Sequence, residues 1–158
     1  MLWPYPIDPQ PGGPLPADFD LLIYQKGPYR PRLIEELTRR FPRARLIVYG
    51  GYRREELLDA ARRSRCCAYL SEDDRGPLAL AEILLAGCPA VGIRRGAPFI
   101  RPGRTGFFVE RLLPEECAAA IQQCHTLDRR AVAVLAVEQF DPQRIVATIV
   151  RALAANCS

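Results

Sequence analysis

Apolar residues in this chain come in short runs, with amphipathic stretches between them. Leu21 to Tyr24 is a run of strand formers that Lys26-Gly27-Pro28 breaks. Pro31 can open a helix at its first position, and Leu33, Ile34, Leu37 and Phe41 then form one apolar stripe that Pro42 ends. Leu46 to Tyr49 predicts a second strand, closed by Gly50-Gly51, and residues 53–63 predict an amphipathic helix with Leu57, Leu58 and Ala61 inward. Cys66 to Leu70 predicts a third strand. Pro77 opens an apolar helix that Gly87 closes, Pro89 to Ile93 predicts a fourth strand, and Phe107 to Val109 a short fifth. The remainder is helical in spacing: 114–125, 128–138 and 142–155, the last with Asp141 as N-cap and Pro142 at the first position.

Strand and helix in alternation predict an α/β fold. The expected form is a Rossmann-like, doubly wound parallel sheet of about five strands, with helices on both faces and a helical C-terminus. Ligands of such sheets bind at the carboxyl ends of the strands. Lys26-Gly27, Gly50-Gly51, Ser71 to Gly76 and Arg94 to Pro98 fall there. Ahead of this pattern, residues 1–18 contain six prolines and two glycines, which exclude helix and discourage strand. They are expected to be a linker-like segment, with Trp3, Tyr5 and Ile7 drawing part of it onto a surface. Residues 19–158 are expected to form one domain.

Charge narrows the partners. The 158 residues carry a net charge of +4, and most arginine pairs share their segments with acidic residues. No basic stripe with interleaved aromatics occurs, so nucleic acid is not an expected partner, whereas a small anion such as a nucleotide fits. Six cysteines form no CxxC pair, Cys66, Cys67 and Cys88 lie in apolar segments, and His125 is the single histidine. This pattern predicts reduced thiols in a cytoplasmic protein without a metal site. The longest apolar run is near ten residues, too short to span a membrane. Met1 is not followed by the basic start and apolar core of a signal peptide.

Glu82 poses the sharpest question. Its neighbours Leu78, Ala79, Leu80, Ala81, Ile83, Leu84, Leu85 and Ala86 are all apolar. A lone carboxylate in such surroundings costs several kcal/mol unless something bonds it. Two partners are open: an arginine of a neighbouring segment, or a ligand. Gly76 lets a ligand approach the backbone, Pro77 fixes the helix start, and free amides near Leu78 attract phosphate. Glu82 lies about 7 Å further along the helix axis. That separation suits a diphosphate at the helix start and a ribose diol on the carboxylate.

Ser71 to Val109 resembles the nucleotide-sugar-binding half of GT-B glycosyltransferases, especially the large retaining group called group 1. The resemblance rests on two acids eight apart, Asp74 and Glu82, followed by Ala86-Gly87-Cys88-Pro89-Ala90-Val91. Gly96-Ala97-Pro98 and Gly103-Arg104-Thr105-Gly106-Phe107-Phe108-Val109 then follow in the family's order. The resemblance implies a nucleotide-sugar donor, transfer of a hexosyl group to an acceptor hydroxyl, and no metal or other cofactor. It implies Asp74 as the catalytic acid near the donor sugar and Glu82 on the ribose. Lys26, beside Gly27, is implied on the diphosphate, with Arg30 or Arg32 as its second cation unless these are simply solvated. Gly50, Gly76, Pro77 and Leu78 complete the implied donor site. As an exposed lysine, Lys26 is expected to matter for binding and to change folding stability by no more than about 0.5 kcal/mol.

The sequence also departs from the family. Asp74 stands where glutamate is usual, Phe99 stands where an acid often follows the proline, and a strand and helix are missing between Gly51 and Arg65. Trp3 to Asp8 resembles an interdomain linker. The chain is thus expected to be a donor domain without its acceptor domain, inactive alone, with peripheral membrane contact in the full enzyme. The alternative is a non-catalytic nucleotide- or protein-binding module derived from the same fold.

Overall fold

The computed structural model describes residues 13–156. Five parallel strands, β1 (Leu21–Gln25), β2 (Ala44–Val48), β3 (Cys67–Leu70), β4 (Ala90–Gly92) and β5 (Gly106–Phe108), form one sheet in the order β2-β1-β3-β4-β5. Six helices accompany them: α1 (Pro31–Arg40), α2 (Arg54–Arg62), α3 (Leu78–Leu85), α4 (Pro114–Cys124), α5 (Arg129–Phe140) and α6 (Pro142–Asn156). The expected Rossmann-like α/β class is therefore the observed one. β2 starts two residues earlier than its apolar run, because Ala44 and Arg45 pair with Leu21 and Leu22 in spite of their polarity or small size.

The strands at the centre are buried on both faces, and their side chains alternate between two cores. Leu22 and Tyr24 of β1 and Cys67 and Tyr69 of β3 pack with Leu57, Ala61, Leu80, Ile83, Leu84, Val132 and Ala136, from α2, α3 and α5. Leu21, Ile23, Cys66, Ala68 and Leu70 pack on the other side with Leu33, Ile34, Leu37, Cys117 and Ile121, from α1 and α4. α3 is apolar except for Glu82, and packing buries its Leu80, Ala81, Ile83, Leu84 and Leu85 while Leu78, Ala79 and Glu82 face the carboxyl-edge cleft. β2 is an edge strand. Among the described residues only α2 lies between β2 and β3, and Leu46 and Val48 are left exposed.

Local signals set the ends. Asp128 caps α5 by accepting from the Arg130 amide, and Asp141 caps α6 by accepting from the Gln143 amide at 2.9 Å. Gly87 ends α3 with φ +78, where a side chain would also strike the Arg129 carbonyl. Arg129 locks this end: its guanidinium donates to the carbonyls of Gly87, Leu15 and Arg62. Leu15 and Asp18 in turn donate their amides to Arg62 and Arg63, which fixes the entry to β1 against α2. Residues 1–12, with Trp3, Tyr5 and Ile7, lie outside the described residues.

Candidate functional site

At the carboxyl edge of the sheet, β1 and β3 bring Tyr24 and Tyr69 into register as partners. Their rings stack, with centroids 5.0 Å apart and an interplanar angle of 14°. Tyr52, from the turn between β2 and α2, meets Tyr24 edge-on at 5.8 Å and shares a 2.9 Å hydroxyl–hydroxyl bond with it. Burial pushes both the Tyr24 and the Tyr69 phenol far above the ordinary tyrosine range; the Tyr52 hydrogen bond adds to the first and the charge of Asp74 to the second. Both phenols therefore remain protonated donors at neutral pH.

Next to this aromatic cluster sits an ion pair. Lys26 Nζ donates to Asp74 Oδ2 at 2.6 Å, Tyr69 donates its hydroxyl to the same oxygen at 2.9 Å, and the Gly76 amide approaches Oδ1 at 3.4 Å. The Asp74 side chain is 5% exposed and that of Lys26 28%. A carboxylate that deep is tolerable because a cation and two further donors meet it. The Lys26 ammonium also lies 5.0 Å from the centre of the Tyr49 ring. Gly96 closes the back of this arrangement. A Cβ there would sit 1.8 Å from the Ser71 carbonyl oxygen, so only glycine lets the Arg94–Ala97 turn press against the Ser71–Gly76 loop.

Glu82 has a partner in the protein itself. Arg54, the first residue of α2, donates its Nε to Glu82 Oε1. The pair is not on the far side of the sheet. Both side chains line a cleft of about 470 Å³ at the strand ends. The other lining residues are Lys26, Tyr49 and Gly50, then Gly76, Leu78 and Ala79, and the three tyrosines Tyr24, Tyr52 and Tyr69.

The structure thus gathers five of the expected site residues, Lys26, Gly50, Gly76, Leu78 and Glu82, around one cavity. Gly27 and Pro77 flank lining residues in the chain, Gly27 at a turn with φ +86 and Pro77 at the start of α3. Asp74 lies behind Lys26 and does not form the wall. Arg30 is elsewhere: it pairs with Glu72 and borders a separate hollow with Arg32, Leu112 and Pro114. The expectation that Lys26 is merely exposed is corrected, since it neutralises a buried carboxylate. Tyr24, Tyr49, Tyr52, Tyr69 and Arg54 were not singled out by the sequence. A signal existed: three of the six tyrosines fall at the ends of three successive strand runs. The five described cysteines are free and buried, His125 bonds the Asp20 carbonyl through its ring, and no group of metal-ligating side chains occurs among the described residues. No helix among them is long and apolar enough to cross a membrane.

A sequence model of the family described as "Glycosyl transferases group 1" matches residues 14–126, well over half of the chain. No curated protein sequence matches. Among solved structures, AviGT4, a glycosyltransferase involved in avilamycin A biosynthesis, is similar with a TM-score of 0.58 and 21% identity, over 92% of this chain and 54% of its own. The apo lipopolysaccharide outer core galactosyltransferase WaaB is similar with a TM-score of 0.69 and 12% identity, over 96% of this chain and 54% of its own. These likenesses are at the level of fold, and the chain spans about half the length of either solved chain. The family match over β1 to α4, joined to the parallel sheet and the acid-bearing α3 at its carboxyl edge, places the chain among the group 1 glycosyltransferases, with a GT-B type Rossmann-like fold.

Proposed function

We propose that the cleft at the carboxyl edge holds the nucleoside diphosphate part of a sugar donor, and that the chain serves as the donor-binding unit of a transferase moving a hexosyl group to an acceptor hydroxyl. The observation that carries this reading is the convergence of Lys26, the N-terminal end of α3 and Glu82 on one cavity, although the Leu78 amide there donates to the Gly76 carbonyl and the Gly76 amide to Asp74. The ammonium and the helix start offset the negative charge of a diphosphate, which departs with that charge when the glycosidic bond breaks. Glu82 accepts from the two ribose hydroxyls once Arg54 swings away, and the freed guanidinium becomes a second cation for the phosphates. No metal is required for this charge balance. Because the chain covers only half of the solved chains, acceptor recognition is assigned to a part outside this Rossmann-like unit.

Calorimetry with uridine, guanosine, adenosine and thymidine diphosphates tests the reading. One of them is expected to bind the 158-residue chain, with no acceptor-dependent sugar transfer by that chain. Silence across the panel would refute the donor site. A second reading, a binding module without transfer chemistry, is favoured by a specific feature: both acids are neutralised internally, Asp74 by Lys26 and Glu82 by Arg54. That reading gains if the panel is silent while the chain stays folded.

A further inference from the structure

Of the 22 lysine and arginine residues, every one except Lys26 is arginine. The one lysine stands on the wall of the cleft. The two side chains differ in chemistry: guanidinium is a rigid planar fork, whereas ammonium is a compact charge with three donors on a flexible stem. A flexible stem needs fixing before its charge can be aimed. Here one donor is committed to Asp74 Oδ2 at 2.6 Å, and the Tyr49 ring flanks the ammonium at 5.0 Å. The remaining donors are available to an anion in the cleft.

Asp74 is placed for holding rather than for touching. It is absent from the cleft wall, and three of a carboxylate's roughly four acceptor directions are taken, by Lys26, by Tyr69 and by the Gly76 amide. The Tyr69 hydroxyl is itself fixed, because its ring is clamped against Tyr24 within the core. A chain of contacts thus runs from the core through Tyr69 and Asp74 to the ammonium.

We propose that Asp74 and Tyr69 are positioning residues for Lys26, setting its ammonium against the diphosphate, and that Asp74 does not itself contact the donor sugar. The proposal rests on the donor-cleft reading for its ligand. It departs from the role that the spacing of Asp74 and Glu82 implies by resemblance.

The test compares each nucleoside diphosphate with its glucosyl ester on the 158-residue chain and on the variants Asp74→Asn, Tyr69→Phe and Lys26→Ala. Lys26→Ala is expected to weaken both ligands about 10- to 100-fold, the range for hydrogen bonds to charged groups. Tyr69→Phe, which keeps the ring stack, and Asp74→Asn are expected to weaken both ligands by the same factor, roughly two- to ten-fold. Added to Lys26→Ala, neither is expected to weaken them further. A loss confined to the glucosyl ester in Asp74→Asn would overturn the proposal, because it marks direct contact with the sugar. Unchanged affinity in both variants would overturn it as well. A readout without ligand separates this outcome from failure of the donor site. As the sole lysine, Lys26 is followed by acetic anhydride labelling and peptide mass spectrometry. It is expected to react faster in Tyr69→Phe and Asp74→Asn than in the parent, and equal rates in all three would refute the tether even where no nucleotide binds.

Discussion

Glu82 and Lys26 show how one type of interaction has different consequences at two depths. Glu82 is 15% exposed and its partner Arg54 48%, so the pair can open toward a ligand at little cost. Lys26 covers an Asp74 that is 5% exposed, and removing it leaves that carboxylate with only a phenol and an amide. Lys26→Ala is therefore expected to lower folding stability by about 1–3 kcal/mol, and Asp74→Asn in the same chain to restore part of it. Urea unfolding midpoints of the two single variants and the double variant measure this, and equal stability of parent and Lys26→Ala would contradict the burial argument. The same two residues separate parts of the ligand. Glu82→Ala is expected to weaken a nucleoside diphosphate by roughly 1.5–3 kcal/mol and to leave inorganic pyrophosphate nearly unaffected, since pyrophosphate has no ribose. Equal losses for both ligands would assign Glu82 to the phosphates instead.

Among the elements, α3 and the loop before it decide the shape of the cleft. α3 has only eight residues and no polar stripe, so the packing of α2 and α5 on either side holds it in place rather than its own periodicity. The Ser71–Gly76 loop is held from behind by the turn at Gly96, where any Cβ would lie 1.8 Å from the Ser71 carbonyl oxygen. Gly96→Ala must push one backbone off the other. It is expected to cost about 2–4 kcal/mol of stability and to displace Asp74 with the loop. Gly51→Ala is a matched control, with its nearest contact an ordinary 3.5 Å to the Val48 carbonyl oxygen, and is expected to stay within about 0.5 kcal/mol. Thermal unfolding of the two variants decides between close approach and a general intolerance of alanine for glycine.

The molecule as a whole buries many groups that must stay neutral. Burial raises the thiols of Cys66, Cys67 and Cys88 well above their ordinary range and Cys117 to about 12, and it raises the phenols of Tyr24 and Tyr69 further still. In the unfolded chain these groups ionise at their ordinary values, 9.0 for cysteine and 10.0 for tyrosine. Above those values the unfolded chain binds fewer protons than the native one, so stability falls as pH rises. The stabilisation is complete below about pH 8 and is lost at about 1.4 kcal/mol per pH unit for each group ionised. Urea midpoints are expected to be flat near neutrality and to drop steeply from pH 9 upward, and a flat profile to pH 11 would argue against buried thiols and phenols.

The sequence by itself determined the order and type of the elements, because each is written in local terms. Apolar runs of four or five residues, stripes spaced three and four apart, prolines at helix starts and Asp141 at a cap act over less than two turns of chain. It also marked the edge where the site lies, since the carboxyl end of a parallel strand follows from chain direction alone. What only the tertiary structure decided is which charges meet. Lys26 and Asp74 are 48 positions apart, Arg54 and Glu82 are 28, and Arg30 is drawn to Glu72 instead of the cleft. Ion pairs have no periodicity in sequence. Their partners are set by strand order and by depth, and the same arginine–carboxylate chemistry serves a surface helix, a loop or a cleft wall until the sheet brings two of them within reach.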